Sequence, residues 1–358
     1  MIVHLPKKTN TQTHNWIRPD MSTDETLVEQ VKRLLIERSK KAMTLSKQAI
    51  LEEQFKYEPL GEALRYFMSE IWYDASHPSM LSLACEAVGG DPDATTNIGA
   101  ALVMLAGAAD IHDDIIDQSF VKEGKQTIFG KFGMDIAIIS GNVLWFKGML
   151  MLNEACDAFP AEKKKAMLML AKQSFFDIGS AEGKEASLRR NLDLQPEEYL
   201  EIIKMKISVA EAASKIGAIA GNGTAEQVEC LGKYGKTLGT LMTIRDEFID
   251  MFDVEELKNR FKNECLPLPI LYAFKDSLLK KQILELLSKQ EFGESELEKI
   301  LELVSNASEV HSLGREMHLA SKETSKSIAW TKNSRVLLQL LNSALEGLPC
   351  ESSQKRRL

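Results

Sequence analysis

The chain has 358 residues, 44% of them hydrophobic and 27% charged, which excludes disorder as its main state. It carries 44 basic against 52 acidic residues, net −8, a balance that speaks against nucleic acid as a partner. Helix breakers are few, with 10 Pro and 21 Gly, and abundant Leu, Ala, Glu and Lys predict a mostly helical chain.

Residues 1–24 are polar and aperiodic and read as a loose arm. The start has no apolar h-region, so a secretory signal is not expected. Lys7, Lys8 and Arg18 precede the first acid, Asp20, which leaves organelle targeting open beside a cytoplasmic location. From Asp24 or Glu25 the pattern turns helical, with Leu27, Val31, Leu34 and Leu35 at three- to four-residue spacing. Helical pattern resumes after each main loop signal: Gly89-Gly90-Asp91-Pro92, Gly124 to Gly133, Phe159-Pro160, Gly221-Asn222-Gly223 and Gly293-Glu294. No convincing strand appears, and no apolar run approaches the ~20 residues that span a bilayer. Cysteines at 85, 156, 230, 265 and 350 form no CxxC pair, so neither a zinc site nor a disulfide framework is expected. Residues 25–348 are therefore read as one all-α domain, followed by a polar, basic tail over 349–358.

Two acidic clusters stand out. The first, Asp113, Asp114 and Asp117, closes an apolar stretch that begins near Ile98. The second, Asp246, Glu247 and Asp250, repeats the same i, i+1, i+4 arrangement about 130 residues later, again after an apolar helix. Positions four apart share a helical face, so each cluster concentrates charge that repels itself unless a cation intervenes. Hard divalent ions such as Mg²⁺ are held by one or two carboxylates, with phosphate oxygens and water completing the shell. A lone DxxD is most often a solvated face; two matched clusters together suggest several Mg²⁺ ions around a diphosphate.

The two segments resemble the aspartate-rich motifs of the trans-isoprenyl diphosphate synthases, the polyprenyl synthetase family. The likeness extends over roughly residues 50–275 and includes Leu83 to Gly90, Gly133 to Asn142 and Tyr234 to Gly239. It implies an all-α bundle with a deep central cavity, usually in a homodimer. It also implies that an allylic prenyl diphosphate is ionised there with Mg²⁺ at Asp113, Asp114, Asp117, Asp246, Glu247 and Asp250. Lys206 matches a family Lys that contacts the leaving diphosphate, Lys122 stands where the family has a diphosphate-binding Arg, and Arg245 precedes the second motif.

Departures gather on the other half of the reaction. The family's Gly-Gly-Lys-Arg-x-Arg-Pro signature aligns with Trp72-Tyr73-Asp74-Ala75-Ser76-His77-Pro78, and a further Arg is Glu123. Losing these cations weakens the usual site for isopentenyl diphosphate, the family's prenyl acceptor. The family's Gly-Gln-x-x-Asp appears as Gly183-Lys184-Glu185-Ala186-Ser187, and Gly-Lys as Glu264-Cys265. The expectation is prenyl transfer to an acceptor other than isopentenyl diphosphate, with Asp74, His77 and Glu123 orienting it. The alternatives are a terpene synthase-like cyclase or lyase with no second substrate, and a non-catalytic subunit of a prenyl diphosphate synthase. In the family, bulky residues upstream of the first motif close the cavity; here Ala108 and Ala109 stand there, which implies a donor of 15 to 20 carbons. Close helix packing explains the same small residues. Asp110 faces either a neighbouring helix or the cavity wall. Phe175, Phe176 and Phe248 read first as core and second as cavity lining.

Overall fold

The computed structural model describes residues 26–122 and 124–349; residues 1–25 (the arm), Glu123 and residues 350–358 lie outside the described residues. Helix α1 (Leu27–Leu51) starts where Thr26 and Glu29 cap each other's backbone amides, and it buries Val28, Val31, Leu35 and Ile50 on one stripe. Helix α2 (Glu58–Tyr66) runs into a π-helical turn over Phe67–Ile71 that delivers Trp72 into the core. There Trp72 stacks on Phe67 and donates to the Val103 carbonyl at 3.0 Å.

Helices α3 (Ser76–Ala87) and α4 (Thr96–Ile116) follow, and then a minimal antiparallel ladder, β1 (Val121–Lys122) with β2 (Lys125–Gln126). This hairpin departs from the strandless expectation and is too short to alter the fold class. Its use is positional: it turns Lys122 back toward α4. Helices α5 (Ile128–Phe132), α6 (Met134–Cys156), α7 (Ala161–Leu188) and α8 (Pro196–Lys206) come next. They are followed by α9 (Ser208–Ala220) and α10 (Ala225–Asp250), the latter opened by a Thr224/Gln227 capping box. A C-terminal group completes the bundle: α11 (Val254–Asn263), α12 (Leu268–Ala273), α13 (Ser277–Leu287), α14 (Glu294–Ser305), α15 (Ser308–Ser327) and α16 (Ser334–Leu345).

Close helix contacts fix the site's frame. Helices α4 and α6 lie together because glycines of α6 leave room: a Cβ at Gly141 would meet His112, and one at Gly148 would meet Leu105. A larger core joins α3, α4, α7–α10 and the C-terminal helices, and a smaller one gathers Phe67, Trp72, Val103, Ala108 and Ile111. Cys85, Cys156, Cys230 and Cys265 are all free thiols.

As continuous helices, 92–116 and 134–156 are long and apolar enough to cross a bilayer, because isolated polar residues such as Asn142 and Lys147 do not interrupt them. The apolar-run criterion applied to the sequence missed both. The first is a core helix, 67% buried within the protein; the second is only 33% buried.

Candidate active site

The apolar stretch of α4 ends in about two turns that carry four acids. Asp110, Asp113, Asp114 and Asp117 fall at i, i+3, i+4 and i+7, on adjoining strips of one side of the helix. Lys122 lies over this side, its ammonium 3.1 Å from Asp110 and 2.6 Å from Asp114. Arg189, at the end of α7, pairs with Asp117 at 2.6 Å. Asp113 Oδ1 is buried and has no hydrogen-bond partner. Burial pushes the Asp114 carboxyl up to about 7, against the pull of Lys122. Burial and the neighbouring Asp113 push Asp117 up to about 6, against Lys206 and Arg189.

Helix α7 brings two more acids to the same place. Lys206, in the last turn of α8 where the helix dipole favours a cation, pairs with Glu182 at 3.1 Å and with Glu185. Its charge is also felt by Asp117, and Asp113 acts on it in turn. Burial raises Glu182 to about 7 despite Lys206, with Asp113 and Glu185 adding to the rise.

The acids of α10 are organised around a residue that motif reading did not flag. Arg260 of α11 has a side chain 7% exposed, and its Nη2 lies 3.1 Å from both oxygens of Glu247. Its Nη1 donates to Asp250 at 2.9 Å, its Nε to the Cys265 carbonyl at 2.9 Å, and its Nη2 also to the Tyr199 hydroxyl at 2.9 Å. Glu247 accepts further from the Leu268 amide at 2.8 Å and from Tyr199 at 3.3 Å. Tyr199 also lies 3.1 Å from Glu185, so one polar chain links the α7 acids to those of α10. Burial lifts Asp250 to about 7 even beside Arg260, and lifts Asp246 to about 7, with Asp250 adding to the latter. Glu264 is raised by burial to about 8, partly offset by Arg260, and feels Asp117 and Asp113.

The structure thus brings Asp113, Asp114, Asp117, Lys122 and Lys206 together, and ties Glu247 and Asp250 to them through Glu185, Tyr199 and Arg260. Other expected residues fall elsewhere. Arg245 has Asp246 and Glu346, at the end of α16, as its charged neighbours, and burial pulls its pKa down. Asp74 is not placed to orient an acceptor: both oxygens are committed. Oδ1 accepts from the Ser76 and His77 amides at 3.0 and 3.1 Å, and Oδ2 pairs with His77 Nδ1 at 2.7 Å. The pair fastens the start of α3, and His77 is spent on it. Ala108 is fully buried among Phe67 and Trp72, on the side of α4 opposite Asp113. Only Ala109, four residues before Asp113 and partly exposed, shares the face of that carboxylate. Phe176 is 65% exposed, Phe248 is buried in the core, and Phe175 packs edge-on against Trp145. Glu123 lies outside the described residues.

Reading by motif missed Glu182, Arg189, Tyr199 and Arg260. Glu185 and Glu264 were visible only as departures from the family pattern. Arg260 left one signal, an arginine spaced with Leu257 on the apolar face of an otherwise charged helix.

Among the described residues no three side chains already converge as a closed metal cage. On α4, however, the donor set fits a hard cation: adjoining carboxylates repel one another, and Asp113 presents a buried oxygen with no partner. The α10 set fits less well, since Glu247 is saturated by Arg260, Tyr199 and Leu268.

An all-helical bundle that carries a cation-ready cluster of acids is the architecture of the isoprenoid synthases. Residues 75–304 match the polyprenyl synthetase family, and the chain belongs to it. It is 32% identical over 180 residues to the short chain isoprenyl diphosphate synthase of Methanothermobacter thermautotrophicus, covering 50% of this chain and 54% of that one. It is 29% identical over 210 residues to the geranylgeranyl diphosphate synthase of Methanosarcina mazei, covering 58% and 64%. The matches to these relatives thus span roughly half to two thirds of their length. The fold is that of the geranylgeranyl pyrophosphate synthetase of Pyrococcus horikoshii, with a TM-score of 0.76 at 21% identity over 90% of this chain and 99% of that one. It is also that of a Caulobacter crescentus polyprenyl synthase solved with calcium and isoprenyl diphosphate, with a TM-score of 0.72 at 19% identity over 88% and 97%.

Proposed function

We propose that this chain ionises an allylic prenyl diphosphate of 15 to 20 carbons and transfers the prenyl group to a second molecule. The observation that carries this reading is the α4 cluster, where Asp113, Asp114 and Asp117 stand beside the two lysines, Lys122 and Lys206. Asp113, Asp114 and Asp117 would hold Mg²⁺, which supplies electrostatic stabilisation of a departing diphosphate when bound. Lys122 and Lys206 bind the same group as point charges. The C1–O bond breaks, pyrophosphate leaves with the electron pair, and C1 becomes an allylic cation. A π bond or lone pair of the acceptor then attacks C1, and the acceptor gives up a proton. The prenyl tail is proposed to lie along α4 on the face that Ala109 shares with Asp113.

The acceptor is proposed to be other than isopentenyl diphosphate. The segment that would bind its diphosphate offers Asp74, whose carboxylate pairs with His77 Nδ1, and Ala75 in place of three cations. The same observation favours a second reading, a cyclase or lyase that needs no acceptor. A second copy of the chain is the proposed cover for the apolar face of α6, where Ile139, Phe146 and Leu150 are 45%, 66% and 45% exposed.

One assay separates these readings. The protein is incubated with Mg²⁺ and farnesyl or geranylgeranyl diphosphate, with and without isopentenyl diphosphate. Products formed without it support the cyclase, and longer diphosphates formed only with it refute the altered acceptor. No turnover under any condition would leave the non-catalytic subunit.

A further inference from the structure

The two acidic clusters are neutralised in different ways. On α4 the counter-charges are loose: Lys122 and Arg189 have side chains 36% and 25% exposed, and each can swing into solvent when another cation arrives. On α10 the counter-charge is built in. The Arg260 guanidinium is 7% exposed and spends its donors on Glu247, Asp250, Tyr199 and the Cys265 carbonyl.

We propose that Arg260 takes the place of a divalent cation at the α10 cluster, so that metal binding by this chain rests on the α4 acids while Glu247 and Asp250 serve as fixed partners of the arginine. This deepens the reading of a diphosphate-binding cleft and rests on it. Three features carry the proposal. Arg260 is anchored at four sites, on α8, on α10 and on the segment after α11, so it cannot leave without stranding a buried guanidinium, one of the costliest single changes in a protein interior. Glu247 would have to surrender the Leu268 amide, 2.8 Å away, and the Tyr199 hydroxyl to accept a metal. A divalent ion beside an immovable guanidinium meets like charge, whereas on α4 the displaced cations can turn to the incoming diphosphate. Asp246 is then the one acid of this cluster with which Arg260 forms no ion pair.

The consequence is a division of labour that runs against the symmetry of the motifs. The α4 acids bind metal and gain little from each other without it. The α10 acids hold α10, α11 and the Tyr199 end of α8 in register, with or without metal.

The test is a double dissociation on the full-length chain. Mn²⁺, visible by electron paramagnetic resonance, is titrated in the presence of inorganic pyrophosphate, and thermal melts are recorded on the metal-free protein. Asp117→Asn is expected to weaken Mn²⁺ binding about tenfold or more and to leave the metal-free melt unchanged or raised. Asp250→Asn is expected to lower the metal-free melt and leave Mn²⁺ binding unchanged. Weakening of Mn²⁺ binding by Asp250→Asn to the same degree as by Asp117→Asn would overturn the proposal, as would Mn²⁺ binding too weak to detect in the wild type. Arg260→Gln, if it folds, is expected to bind more Mn²⁺ than the wild type; if it does not fold, the Asp250→Asn comparison decides alone. Turnover measured in parallel keeps the two readings apart: Mn²⁺ binding with this pattern but no turnover sinks the proposed activity and leaves the role of Arg260 standing.

Discussion

The ammonium of Lys122 sits between Asp110 and Asp114, 3.1 Å from one and 2.6 Å from the other, one helical turn apart along α4. Asp110 is therefore paired with a cation that it shares with Asp114. On the proposed reading, Asp110 is the carboxylate that would still hold Lys122 once Asp114 bound a metal. Lys122→Ala is expected to lower kcat/KM about tenfold to a hundredfold, the worth of a charge-assisted hydrogen bond of about 1.5–3 kcal/mol. Asp110→Asn should raise KM for the allylic diphosphate with a smaller change in kcat. Steady-state kinetics on the two variants checks this, and equal loss of kcat in both would show that Asp110 does more than position Lys122.

The metal reading of α4 predicts a sharp separation of activity from fold. Asp113 carries a buried oxygen with no hydrogen-bond partner, so no hydrogen bond is lost at that oxygen when it is removed. Asp113→Ala should abolish turnover while the circular dichroism spectrum and melting temperature hold or improve. Chelation of divalent metal should do the same to the wild type. Persistent turnover in excess chelator would contradict the assignment of these acids.

Much of this site was legible because its chemistry is local. Four acids crowding the end of an apolar helix violate the usual preference of Asp for caps and turns, and that conflict is visible in one dimension. Lys206 and Lys122 were reachable through the family likeness. Arg260 and Tyr199 were not, because a buried arginine acquires meaning only through partners on other elements: its donors reach Glu247, Asp250 and Tyr199, which lie on α8 and α10. Asp74 misled for the opposite reason. In sequence it replaces a cation in a binding signature, whereas in three dimensions its lone pairs are spent on the first amides of α3. Ala108 and Ala109 are adjacent in the chain, yet 100° of helical rotation puts one in the core and leaves the other partly exposed on the face of Asp113.

Ala109 is the position from which donor length should be adjustable. It lies one turn below Asp113 and is partly exposed, and Ala106 lies a further turn below. Ala109→Phe should make the protein reject a 20-carbon donor while still accepting a shorter one, read as the ratio of kcat/KM for geranylgeranyl over geranyl diphosphate. Ala108→Phe should instead destabilise the fold, since it forces a ring into the buried cluster that holds Phe67, Trp72 and Ile111, at an overpacking cost of about 1–3 kcal/mol. An unchanged donor ratio in Ala109→Phe would place the prenyl channel elsewhere.

The exposed stripe on α6 makes a prediction about assembly. Ile139, Phe146 and Leu150 recur at i, i+7 and i+11 on one face, with Phe176 of α7 also exposed at 65%. Light scattering on the wild type is expected to give twice the chain mass, and Phe146→Glu with Leu150→Glu should give the monomer. A monomeric wild type at micromolar concentration would leave this face for another partner or a lipid surface.

Asp74 offers a pH signature that separates a structural role from a catalytic one. Burial alone would raise its carboxyl, but His77 and the backbone amides outweigh that and hold it below the ordinary carboxylate range. A depressed folded-state pKa contributes stability that is present above the unfolded value near 4 and is lost as pH falls through the folded value. Wild-type protein should therefore keep this contribution from neutral pH down to about 4 and lose it in stronger acid. Asp74→Asn should cost about 1–2 kcal/mol at pH 7, the worth of a helix cap and a buried charge-assisted bond, and the gap to wild type should close at low pH. The same variant should leave KM for the allylic diphosphate unchanged. Denaturant titrations at several pH values with matched kinetics decide the matter: a rise in KM at pH 7 without a stability loss would return Asp74 to the substrate.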